Sequence, residues 1–380
     1  MSAQHSFDTI IIGGGAMGSA AAWQLSARGQ RVLVLDRFRP PHSFGSTHGE
    51  TRVIREAYFE HPAYVPLVQR AYELWRQLEE LSGESLLKIT GGLMIGPTDG
   101  VVFNGALASA RAHNLPHETL DASAVSRRFP ALRIPAEFRA VFEPRAGMLY
   151  VERCVAAFLK LAAANGAVLK FGERVTRWRS NDAVVEVVTD QAVYSAQTLV
   201  VAAGAWLPKL LPELAGLLKI ERQVLHWFRP VADTSDCLPD RLPVHVCEYE
   251  RGRFYYALPD VGAGVKAALH HQGETVSADD PRREASDAER DLMSALVGRF
   301  LPALRGLPHQ STTCLYTNTP DEHFLIDHHP AHSNVLIVSP CSGHGFKFAS
   351  AIGELVADLA TSQSSRLDLS LFKLARFDCR

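Results

Sequence analysis

The stretch that most constrains this chain is FDTIIIGGGAMGSAAAWQLSARGQRVLVLD, residues 7–36. After Thr9 its first strand-like run is apolar and β-branched, the pattern of a strand buried on both faces of a parallel sheet. Glycines follow at once, then an alanine-rich segment (16–29) that closes on a Gly suited to a helix C-terminus, then a second apolar strand, RVLVLD. A β-α-β unit is therefore expected in the first 36 residues. Gly13, Gly15 and Gly18 give G-x-G-x-x-G between its strand and helix. The first glycine permits the tight turn, the second lets backbone approach a pyrophosphate, and the third lets the helix pack closely. Phosphate would sit on the free N–H groups at the helix start. Asp36 ends the second strand, 21 residues after Gly15, where it can accept hydrogen bonds from a ribose diol. An acid there disfavours a ribose 2′-phosphate and hence NADP, leaving NAD and FAD.

At 380 residues the chain is longer than one ordinary core supports, so two domains or one large α/β unit are expected. Hydrophobic residues at 47% and charged residues at 21% exclude disordered and fibrous classes. The 39 basic and 41 acidic residues leave a net charge of −2 with no long single-sign run, which argues against a nucleic-acid or membrane partner and for a small molecule. Six cysteines lie far apart with no C-x-x-C pair, so reduced thiols and no metal site are expected. With no leader-like N-terminus and no apolar run of about 18 residues, a soluble cytoplasmic protein is expected.

Farther along, Pro66 is expected to open a helix with Leu67, Ala71, Leu74, Trp75, Leu78 and Leu81 on one face. Residues 86–149 read as short strands and turns, 152–165 as an amphipathic helix, and 219–314 as strand-rich with one helix near 284–301. Two later segments favour FAD over NAD. TLVVAAGAWLPKLL (198–211) brings a strand to Gly204 and then a helix, and SGHGFKFASAIGEL (342–355) sets Gly343 and Gly345 before a helix with Lys347 in its first turn. A cation there would face the flavin pyrimidine, where negative charge develops on reduction.

Taken in order, IIIGGGAMGSAAAWQL, PPHSFGSTHGETRVIREAY, YVPLVQRAYELW, VKAALHHQG, CLYTNTPDEHFLID, SGHGFKFASAIGE and LFKLARF resemble the monomeric sarcosine oxidase and N-methyltryptophan oxidase family of flavin amine oxidases. The resemblance runs almost end to end. It implies a D-amino-acid-oxidase-like, glutathione-reductase-like α/β fold: a Rossmann-type FAD-binding domain (1–85, 150–218 and 315–380) with an inserted β-rich substrate domain (86–149 and 219–314). It implies a monomer, and FAD attached covalently through Cys314, although a free cysteine taken alone is usually a buried inert hydrophobe. The family oxidises a C–N bond beside a carboxylate, the imine is hydrolysed, and dioxygen becomes hydrogen peroxide. By the same resemblance Arg55 and Lys347 bind the substrate carboxylate, Arg52 packs near the flavin ring, and Lys266 activates dioxygen. His270 and His48 match active-site histidines, and Tyr256 and Tyr316 match tyrosines near the ligand. The three-residue spacing of Arg52 and Arg55 reads as a helical turn that points both guanidinium groups to one side.

The substrate-facing segments match less well. Thr47-His48 stands where the family often has paired histidines, AYFEHP replaces the more usual AYGEG, and Cys247 stands where a larger apolar residue lines the pocket. A methylene or two in an apolar slot discriminates by only about 1 to 3 kcal/mol, so the amine is not fixed by the sequence. Secondary amino acids are expected, either N-methyl amino acids or cyclic imino acids. The rivals are a primary or N-alkylated amino acid, or an acceptor other than dioxygen, on the same fold. A flavin-binding module without turnover would lack the charges at Arg55, Lys347 and Lys266, and an NAD-linked dehydrogenase gives no reason for Cys314 or the 342–345 turn.

Overall fold

The computed structural model of the chain describes residues 6–181, 183–231, 235–361 and 367–377, so Cys379 lies outside it. The opening unit forms as its sequence dictates: strand Ser6–Ile12, helix Ala16–Ala27 and strand Val32–Asp36, the two strands parallel. Strand Ser6–Ile12 also pairs in parallel with Val193–Val201, and Val32–Asp36 with Val168–Phe171. Strand Val193–Val201 continues to the parallel His332–Ser339, so an eight-stranded sheet is assembled from segments far apart in the chain. Helix Ala16–Ala27 is buried nearly all round, which its small side chains allow. A Cβ at Gly353 of helix Ala349–Ala360 would lie 2.6 Å from the Ala20 backbone, so the two helices touch backbone to backbone.

A second eight-stranded sheet runs in the order Gln310–Asn318, Lys219–Phe228, Val265–His270, Arg253–Leu258, Val244–Glu250, Gly92–Pro97, Phe138–Glu143 and Glu118–Asp121. It is antiparallel except where Val244–Glu250 meets Gly92–Pro97. A three-stranded sheet, Thr51–Ile54, Gly147–Tyr150 and Leu87–Ile89, completes the framework. This is the expected α/β architecture with a β-rich second layer. The division expected at 314/315 falls inside a strand, since Gln310–Asn318 belongs whole to the second sheet.

Several expectations need correction. Arg52 lies in strand Thr51–Ile54, not on a helical turn, because the β-branched Thr51, Val53 and Ile54 pair with Gly147–Tyr150. Helix Tyr64–Ser82 starts two residues before Pro66, whose missing N–H is harmless within the first turn. Leu67 through Leu78 face the core, but Leu81 is 55% exposed, because the helix reaches the surface and stops at Gly83 in a left-handed conformation. Residues 86–149 hold a twelve-residue helix, Val101–Ala112, that the Val-Val-Phe start and internal Gly105 disguise; Gly105 lies against the Phe59 backbone. Lys266 lies within strand Val265–His270, where a sequence reading puts it just past a strand rich in small residues.

Candidate active site

A cavity of about 530 Å³ begins at the carboxyl ends of the parallel strands, with Ile12, Asp36 and Ser339 in its wall, and extends to the second sheet. Ligands of open α/β sheets bind at such strand ends. At the first end the glycine turn brings backbone to the wall. Gly13 has φ +103°, and a Cβ on it would lie 2.4 Å from the Ala202 carbonyl oxygen; a Cβ on Gly18 would lie 1.7 Å from that of Gly13. Gly15 caps helix Ala16–Ala27 with no side-chain bond and no acid in the first turn, leaving the helix N–H groups free for an anion. Asp36 accepts the N–H groups of Gly14 and Phe38, both at 2.8 Å, and burial raises its pKa. Gly204, Gly343 and Gly345 line the same cavity. This cradle fits a dinucleotide: Cβ atoms would fill it where backbone must approach phosphate, and its acid lies where a ribose would.

The other end is made of side chains. Arg55 leaves strand Thr51–Ile54 buried, with its guanidinium 4.3 Å from the Tyr58 ring centroid and 4.5 Å from that of Phe59. Its Nη2 donates to both carboxylate oxygens of Glu60, at 2.6 and 2.7 Å. Burial opposes both charges, yet Glu60 raises the Arg55 pKa, and Arg55, with His344 and Lys347, lowers that of Glu60. Lys347 donates to the His344 carbonyl at 2.8 Å and approaches the Tyr58 hydroxyl at 3.4 Å; burial, then Arg55, pulls its pKa down to about 7. His344 shares a 2.6 Å hydrogen bond with Tyr58 and is kept neutral by burial, its pKa near 3.

Strand alternation supplies the rest. Lys266, Ala268 and His270 share one face of Val265–His270, and Cys314 and Tyr316 one face of Gln310–Asn318. His270 and Tyr316 line the cavity together, with Nδ1 3.4 Å from the tyrosine hydroxyl, and Tyr256 joins them. Burial holds His270 neutral and pushes Tyr256 up to about 12. Arg52 also lines the cavity, donating to the Thr51 and Ser46 carbonyls at 2.9 Å. Burial disfavours its charge, but Cys314, Tyr256 and Tyr316 outweigh that.

Three expected residues stand behind the wall. Lys266 is 1% exposed and donates to the Gly49 carbonyl at 2.8 Å and to that of Thr51; burial lowers its pKa strongly. His48 is buried, its pKa down to about 4 for the same reason, and its Nε2 finds no hydrogen-bond partner among the described residues. Cys314 packs with Leu225, Trp227, Ala268 and Tyr316, its thiol pushed up by burial and eased down by Arg52 and Lys266. Cys247 is a correction: it faces Leu93 and Tyr255 in the core, and its neighbour Val246 lines the cavity instead. A one-residue parity on the strand decides this.

Phe59, Glu60, His344 and Cys341 also line the cavity and were missed. Glu60 and Phe59 lie in AYFEHP, a segment whose departure was visible though its contact with Arg55 was not. The sulfur of Cys341 accepts the Thr317 N–H at 3.3 Å.

The fold and this cavity define a flavin-dependent oxidoreductase, and the sequence signature of the FAD dependent oxidoreductase family DAO matches residues 8–359. The chain belongs to that family and acts with FAD. It is 42% identical over 370 residues to a monomeric sarcosine oxidase of Streptomyces avermitilis, with 96% of each chain covered. It is 38% identical over 375 residues to an N-methyl-L-tryptophan oxidase of Yersinia pestis, covering 98% of this chain and 99% of that one. Among solved structures, the open form of NikD, an unusual amino acid oxidase essential for nikkomycin biosynthesis, matches with a TM-score of 0.85 at 26% identity, 97% of each chain covered. Among the described residues no helix is long and apolar enough to cross a membrane, and no group of three or more His, Cys, Asp or Glu could hold a metal ion.

Proposed function

We propose that this chain oxidises secondary amino acids, N-methyl amino acids such as sarcosine or N-methyltryptophan or else cyclic imino acids, with dioxygen as acceptor. The carrying observation is the buried cationic pair Arg55 and Lys347 in the cavity that also holds the dinucleotide cradle. A carboxylate is the ligand such a pair selects, since Arg binds it bidentately and water is excluded. Glu60 takes that place on Arg55, so an arriving substrate carboxylate must share or displace it.

Bound FAD supplies the two-electron acceptor for the C–N bond. The residues do the rest. Arg55 and Lys347 fix the carboxylate, which sets the position of the amine carbon. His270, held neutral, and Tyr316 and Tyr256, held protonated, give a wall without charge, suited to an uncharged amine. The amine becomes an imine that water hydrolyses, and two electrons and two protons convert dioxygen to hydrogen peroxide. Lys266 is the residue we assign to dioxygen: two carbonyl acceptors favour its ammonium while burial makes its proton easy to lose. Arg52 lends positive charge beside Cys314. His48, with a free ring nitrogen beside Arg52, is assigned to the cofactor side.

Cys314 is our assignment for the covalent link, supported by the resemblance and by its sharing a strand face with Tyr316. Cys341 is the rival, because it lines the cavity wall and Cys314 does not. Acid precipitation of Cys314→Ala and Cys341→Ala separates the two: colour that stays with Cys314→Ala moves the link to Cys341. A panel of N-methyl, cyclic and primary amino acids, read by hydrogen peroxide release, tests the function. Turnover of N-methyl or cyclic amino acids is expected; if no carboxylate-bearing amine bleaches the flavin absorbance, the proposal fails. We also infer a cytoplasmic monomer, from the relatives' names and the scattered thiols, to be checked by size-exclusion chromatography.

A further inference from the structure

We propose that Glu143 is a positioning residue for the carboxylate clamp: its carboxylate holds the backbone turn that carries the Arg55 guanidinium into the cavity. This rests on the reading of Arg55 as the carboxylate-binding residue. Strand Thr51–Ile54 ends just before Arg55, so the next backbone N–H groups lose their ladder partners while buried. Burial without partners would be costly. Glu143, the last residue of strand Phe138–Glu143 in the second eight-stranded sheet, supplies both acceptors: Oε1 takes the Glu56 N–H at 2.7 Å and Oε2 the Ala57 N–H at 2.8 Å. The same Ala57 accepts a 3.0 Å hydrogen bond from Arg55 Nη1 through its carbonyl. One residue, Ala57, thus links the Glu143 carboxylate to the guanidinium, and the second sheet to the substrate clamp.

The link needs a carboxylate. Two N–H donors converge on Glu143, and bonds to an ionised acceptor are the stronger ones. In Glu143→Gln one of those donors would face an amide NH2, so the isosteric change opposes the geometry. The titratable and charged groups facing Glu143 are Glu56, Arg55 and Tyr72, with Arg145 against Glu56 and Tyr72. Glu56 is fully buried, its carboxylate has no hydrogen-bond partner among the described residues, and Arg145, at 3.4 Å, offsets it. Burial, with Glu56 beside it, brings the Glu143 pKa up to about 7, against the two N–H donors and Arg55. The turn is therefore held most firmly above neutral pH.

The test titrates holoenzyme with benzoate, read from flavin absorbance, in the wild type, Glu143→Gln, Arg55→Ala and the double variant. We expect Glu143→Gln to retain its flavin, weaken benzoate by about tenfold, and add almost nothing to the loss caused by Arg55→Ala, because both act through one contact. The saturating turnover rate should stay within about twofold, since a positioning defect in binding falls on KM. Benzoate binding to Glu143→Gln as tight as to the wild type, or a loss fully additive with Arg55→Ala, overturns the proposal and leaves the Arg55 reading standing. Wild-type affinity in Arg55→Ala overturns both. Should Glu143→Gln not fold, Glu143→Asp keeps the charge, and the same non-additivity with Arg55→Ala decides.

Discussion

Around Gly13 and Gly15 the cavity wall is mainly backbone, framed by the opening β-α-β unit; around Arg55 and Lys347 it is long side chains from several distant stretches. At the first end Gly13 and Gly18 tolerate no added atom, because turn packs against turn. The second is held by charges that neutralise one another, Arg55 and Lys347 against Glu60, and by rings that bracket a guanidinium. A rigid cradle suits a cofactor that stays; an electrostatic clamp suits a ligand that must come and go.

The largest effect should come from adding bulk to the rigid end. Gly18→Val drives a side chain into the Gly13 carbonyl, and the backbone must move at a cost of about 3 kcal/mol or more. Purified variant should carry little flavin and melt lower, read from the flavin-to-protein absorbance ratio and thermal unfolding; normal flavin content would mean the close approach is not required.

At the electrostatic end the expected effects trade stability against binding. The Lys347 pKa is about 7 in the fold against an ordinary 10.5. Between those values the unfolded chain holds a proton that the folded chain lacks, so the stability this group contributes is complete above 10.5 and is lost as pH falls through 7. Lys347→Met should therefore be more stable than wild type at pH 6–7, on the order of 2 kcal/mol, with the difference closing toward pH 10. Its KM for a carboxylate-bearing amine should rise about tenfold or more. Thermal unfolding across pH and steady-state kinetics check both arms, and a variant less stable at every pH would contradict the burial argument.

The smallest contrast lies on one strand. Val246→Ala should change relative KM values among N-methyl amino acids by a factor of about ten or less, as an apolar slot allows. Cys247→Ala should leave those ratios unchanged and cost about 1 kcal/mol of stability. Reversed outcomes would show that Cys247, not Val246, faces the ligand.

These contrasts match what was legible in the sequence. Gly13, Gly15, Gly18 and Asp36 could be read because their requirements are local. Lys266, His270, Cys314 and Tyr316 came from the family resemblance, and the strands then set Lys266 with His270, and Cys314 with Tyr316, on common faces. Arg52 and Arg55 were found by type but given the wrong backbone, since a three-residue spacing does not separate helix from strand when pairing with Gly147–Tyr150 decides. Glu60, His344 and Cys341 were passed over because nothing in their immediate neighbours announces a contact with Arg55, Tyr58 or Thr317.

By itself, then, the sequence determined the β-α-β cradle, the FAD family and the types of charge at the site, because turn sterics, helix ends and strand alternation are settled within a few residues. The tertiary structure alone decided which side of each strand meets the ligand, which acid sits on Arg55, and that Glu143 reaches across from the second sheet to hold the turn behind it. Those choices depend on register between strands separated by dozens to hundreds of residues, where a slip of one position turns every side chain to the opposite face.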